Sequence, residues 1–174
     1  ILINVTIFFF IKIMSKVPIG THEIRYQYIN ENWSQFEMMW KAEMVIMALL
    51  TASSIYFAIN YQNMGWCVVA FGQLVLMTIY PIMLGGYYDT SVEVYIMAYQ
   101  MSSLIFVFGM MLFLIGMILV YRADLVLLKW LRITACVLAL IGLISFTSAY
   151  LGFIDWKQAL KMSIVLFSLK KKNQ

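Results

Sequence analysis

Long apolar runs separated by short polar clusters dominate this chain. No Asp, Glu, Lys, Arg or His occurs between Met44 and Tyr88, and the stretches Val94 to Tyr121 and Ile133 to Ile154 are uncharged as well. Crossing a bilayer core takes about 20 predominantly apolar residues, because about 30 Å of hydrocarbon is covered at about 1.5 Å per helical residue. The first run is therefore long enough for two crossings. Asn60, Gln62, Asn63 and Gly65, with Tyr61 and Trp66 around them, supply the turn chemistry that divides it. Four spans are predicted, at roughly 42–60, 65–84, 94–121 and 132–154. Unpaired backbone cannot cross lipid, and the runs lack the alternation of barrel strands, so the spans are helices. The predicted fold is all-α, a polytopic four-transmembrane-helix bundle over residues 33–156 with a lead-in at 1–32 and a tail at 157–174.

Patterns inside the runs refine this picture. Span three holds 28 uncharged residues, about 42 Å of straight helix, and must tilt or project beyond the hydrocarbon. Ser102, Gly109, Gly116 and Ala123 recur in it at intervals of seven, and span four repeats the spacing with Ala135, Gly142 and Ala149. Helices in lipid have little hydrophobic drive to meet, so small residues that let backbones approach are the usual seam. The two stripes predict a tight antiparallel pair of spans three and four, crossing at about 20° with left-handed sense. Pro81 lacks an amide hydrogen and should bend or end span two, with Gly85 and Gly86 following.

The ends of the spans carry further signals. Ser34 and Glu37 have capping-box spacing, which predicts a helix start. Trp33, Phe36 and Trp40 share one helical face, expected at headgroup level leading into span one. After span four, Lys157, Lys161 and Lys170 to Lys172 flank a short apolar run that predicts an interfacial helix against anionic lipid. The opening ILINVTIFFFIKI precedes an ordinary-looking start at Met14-Ser15-Lys16, and residues 1–13 are read as upstream sequence that is not translated. A signal peptide fits less well, since Lys12 follows the apolar run and no small-residue cleavage site is present.

Composition agrees with the patterning. The 174 residues are 64% hydrophobic and 11% charged, against about a quarter charged in soluble domains. The net charge of +4 does not mark a nucleic-acid partner, because the basic residues are juxtamembrane. Nine of the twelve Lys and Arg flank the termini, whereas Arg122, Lys129 and Arg132 lie between spans three and four. The positive-inside rule then places both termini in the cytoplasm. Cys67 and Cys136 form no CxxC pair and are expected to be buried, unreactive thiols.

Chemistry has few places to reside. Glu43, near the entrance of span one, is the intramembrane ionisable residue, and Gln73 and Gln100 are the deeper amides. These three are the candidate ligand-binding residues, since polar groups are costly in lipid. The single His22 precedes the spans, which excludes a haem held between two histidines. HExxH, GxSxG, P-loop and paired intramembrane acids are missing from the sequence, so no catalytic residue, metal ligand or cofactor is assigned. The expected function is non-enzymatic helix packing against the lipid bilayer, a membrane-protein partner or a second copy. A small-molecule or cation carrier using Glu43 is the alternative.

Overall fold

The structure, a computed structural model, describes residues 12–124 and 127–151. Within them the chain is all helical: α1 (His22–Glu31), α2 (Trp33–Tyr61), α3 (Met64–Met77), α4 (Ile79–Gly86), α5 (Val92–Ala123) and α6 (Lys129–Tyr150). Four helical stretches packed against each other are long and apolar enough to cross a membrane: α2, α3 continued by α4, α5 and α6. The interfacial tail at 157–174 and residues 1–11 of the opening segment lie outside the described residues.

Local chemistry explains the boundaries. Gln62 adopts a left-handed conformation (φ 47°), which stops α2. Asn63 then starts α3, its side-chain oxygen accepting from the Gly65 amide at 2.8 Å and its carbonyl from the Trp66 amide at 3.0 Å. Pro81 acts on the turn before it. A proline cannot donate to the carbonyl four residues back and crowds that group, and the helix breaks at Thr78, whose hydroxyl donates to the Val75 carbonyl at 2.7 Å.

The capping box at Ser34 and Glu37 does not form. With α1 ending at Glu31, Ser34 already lies inside α2; the Asn32 carbonyl accepts the Gln35 amide at 3.0 Å, and Glu37 pairs with Lys41 on the next turn. The polar lead-in is itself partly helical, since α1 occupies it.

The described residues group into two compact units. One comprises the chain up to Leu50 together with Val75–Phe106; the other comprises Thr51–Leu74 and the chain from Val107. The first has an aromatic core of Phe36, Trp40, Tyr87 and Tyr95 with Ile29, Met39 and Ala98. Trp40 meets Phe36 at 5.5 Å and Tyr87 at 5.3 Å between ring centroids, and Trp33 stacks on Tyr88 at 4.7 Å. The face carrying Trp33, Phe36 and Trp40 thus turns inward rather than toward headgroups, because α1 and the 87–95 segment supply rings to receive it.

In the second unit, glycines bring α3 and α5 into main-chain contact. A Cβ on Gly65 would lie 2.6 Å from the Val120 amide nitrogen, one on Gly116 2.6 Å from the Val69 nitrogen, and one on Gly72 2.6 Å from the Phe113 nitrogen. Residue numbers rise on one helix as they fall on the other, so the pair is antiparallel. The stripe of Gly109 and Gly116 therefore serves span two, in place of the expected pairing with span four. The physical reason is that α3 brings glycines of its own at matching spacing, whereas α6 meets α5 through side chains: Gly142 faces the Leu114 methyls at 3.3 and 3.7 Å. Cys136 Sγ donates to the Ile118 carbonyl at 3.8 Å on the same side.

Candidate functional site

The most polar construction among the described residues lies in the first unit, where α1 docks on the segment between α4 and α5. Asn30 is its centre. Its side-chain amide donates to the Tyr26 carbonyl at 3.0 Å and the Tyr87 carbonyl at 3.1 Å, and its side-chain oxygen accepts from the Asp89 amide at 3.0 Å. Tyr26 adds a reciprocal pair with Thr90, its hydroxyl donating to the Thr90 carbonyl and accepting from the Thr90 amide. Asp89 is held in a left-handed conformation (φ 48°) between these contacts. His22 packs its ring edgewise on Tyr99 (5.3 Å) and Tyr95 (6.3 Å). Burial pushes the Tyr87 phenol well above the ordinary tyrosine range, with Tyr95 adding to the shift and the Ser102 hydroxyl opposing it. The arrangement fixes one helix to one loop; it presents no nucleophile with an adjacent base.

Sequence reading missed this clamp. A signal was present, since His22, Tyr26, Asn30 and Trp33 recur at helical spacing within a segment read as polar lead-in.

The predicted ligand residues fall in different surroundings. Glu43 is half-buried and Gln100 exposed, both in the first unit, while Gln73 is buried in the second with its side-chain oxygen unpaired. Lys41 does not accompany Glu43; it forms its ion pair with Glu37. Open grooves lie on the surface of the described residues. One of about 500 Å³ runs along α2 past Ser34, Glu37, Lys41 and Val45, and one of about 610 Å³ lies by the α2–α3 turn with Asn63, Leu119 and Arg122. Neither groove is lined by Glu43, Gln73 or Gln100.

Among the packing residues, Ser102, Gly109, Gly116, Gly142 and Ala149 are buried and Ala135 is half-buried. Ala123 is exposed, since it is the last residue of α5. Cys67 is also exposed, contrary to expectation. It sits two residues from both Gly65 and Val69, which face α5, and a two-residue step turns a helical side chain to the far side. Among the described residues no three His, Cys, Asp or Glu side chains gather as a metal site.

Fold and site together define an all-helical, multi-pass membrane protein with an aromatic, hydrogen-bonded clamp in one unit and a backbone-packed hairpin in the other. No family model matches the chain, and neither a curated protein nor a solved structure does so.

Proposed function

We propose that this protein works without catalysis in the cytoplasmic membrane, packing its helices against lipid or a membrane partner with both termini in the cytoplasm. The observation that carries the reading is the closure of the α3–α5 seam: where a Cβ would meet backbone at 2.6 Å, no ligand can lie between the helices. The exposed face of α5, with Met97, Met101, Leu104 and Phe108, is apolar and suits lipid or another helix. The orientation rests on the nine terminal-side Lys and Arg against three in the opposite loop. A reporter enzyme active only outside the cytoplasm tests it: fusion after Asp124 is active, and fusion after Asp89 is silent.

A second reading has one observation in its favour. Glu43 is half-buried and, with Lys41 engaged by Glu37, makes no ion pair among the described residues, as a carrier's cation site would require. Proton release on adding hydrophobic cations to the purified protein separates the two. The packing reading expects no signal across a broad panel. A signal abolished by Glu43→Gln overturns it in favour of a carrier.

A further inference from the structure

Gln100 presents an exposed side-chain amide on α5. It lies eight residues along α5 from Val92, about 12 Å, which in a helix about 48 Å long is within reach of the hydrocarbon. Exposed hydroxyls elsewhere on the spans close on their own helix: Thr78 donates to the Val75 carbonyl at 2.7 Å and Thr134 to the Trp130 carbonyl at 2.9 Å. Gln100 makes no hydrogen bond to a described residue, and its neighbours on that face, Met97, Met101 and Leu104, are each at least half exposed. An amide facing lipid is costly, and polar residues within spans turn toward protein.

We infer that this face of α5 pairs with a second copy of the chain, the two Gln100 amides bonding to each other across a two-fold axis. The occupant follows from the chemistry of the group. A primary amide carries both donor and acceptor, so it is complementary to itself when a two-fold rotation exchanges N–H and C=O. A second copy inserted with the same orientation also places its amide at the same depth, which an unrelated helix need not do. Met97, Met101 and Leu104 form a deformable apolar rim that excludes lipid from the amide pair. Glu93, seven residues nearer the helix start, lies about 10 Å further out, where water and salt screen its like charge on the partner.

This inference deepens the packing reading and rests on it. The full chain, labelled with a dye at Cys67 in a Cys136→Ser background, is reconstituted in phosphatidylcholine vesicles at decreasing density, and bleaching steps are counted. Two-step bleaching that gives way to single steps on dilution is expected. Gln100→Leu should raise the apparent dissociation constant about tenfold, from the loss of two interhelical amide bonds. Gln100→Asn should stay within about threefold of wild type. Single-step bleaching at every density, or a Gln100→Leu curve superimposed on wild type with unchanged helical circular dichroism, overturns the inference. So does cross-linking of Met97→Cys in native membranes to a different protein without any homodimer. The proton-release experiment is independent of these outcomes, so a monomer that is silent there loses the dimer and keeps the packing reading.

Discussion

Replacing Gly72 by alanine tests the hairpin seam where every near neighbour is a main-chain atom. The new methyl would lie 2.6 Å from the Phe113 nitrogen, 3.0 Å from its Cα and 3.0 Å from the Gly109 carbonyl oxygen. All three are main-chain atoms and cannot rotate aside. Ordinary contact needs about 3.5 Å, so the helices must part by about 1 Å, and a gap of that size forfeits a quarter to a half of each neighbouring dispersion contact. Overpacking of this kind costs about 3 kcal/mol at the upper end of its range, while alanine returns about 1 kcal/mol of helix propensity. The net expectation is a loss of about 2 kcal/mol. Gly142→Ala meets only the Leu114 methyls, at 3.3 and 3.7 Å, and a side chain can yield; Gly85→Ala meets nothing within 4 Å. Unfolding of the purified protein by dodecyl sulfate in mixed micelles, followed by circular dichroism, should therefore rank Gly72→Ala far below Gly142→Ala, with Gly85→Ala at or above wild type. Gly72→Ala combined with Gly116→Ala should cost less than the two separately, because the first has already opened the seam. A Gly72→Ala protein within about 0.5 kcal/mol of wild type would refute main-chain contact as the basis of the hairpin.

Asn30→Ala removes three hydrogen bonds and should raise amide exchange in residues 22–31 about tenfold, leaving α6 unchanged; equal protection in both proteins would remove Asn30 from the clamp. Gln62→Gly relieves a left-handed residue and should stabilise by about 0.5 to 1 kcal/mol in the same unfolding assay. The fold favours the neutral Tyr87 phenol, so its contribution is complete below the unfolded value of about 10 and is lost as pH rises above it. Phenolate absorbance should show a late-titrating group of tyrosines whose amplitude falls by one phenol in Tyr87→Phe.

The four spans were legible because charge is excluded from lipid along whole helices, and the break near Gln62 because Asn and Gly cluster there. Partner choice was not legible. Gly109 and Gly116 announce a close approach, but the stripe on α6 has the same seven-residue spacing as the glycines of α3, and periodicity alone cannot rank the two. The inward turn of Trp33, Phe36 and Trp40 was hidden for a related reason: an aromatic face reads the same whether headgroups or tyrosines cover it. Of the candidate ligand residues, Glu43, Gln73 and Gln100 were chosen for what lipid penalises, a property that carries no information about their neighbours. The clamp at Asn30 was half legible: the spacing of His22, Tyr26 and Asn30 marks one face of a helix, but the partners of that face are mostly main-chain groups of residues 87–90, which have no side-chain signature.

Because the hairpin is held by main-chain contact at Gly65, Gly72 and Gly116, the side chains around it are released from most steric obligation. Phe71, Leu74 and Phe108, all exposed, answer only to the requirement of being apolar. Such a protein can exchange much of its surface over time and keep its shape. What a distant descendant would preserve is an interval, two glycines seven residues apart on one helix answered by two more on the next, together with an asparagine ahead of the first span.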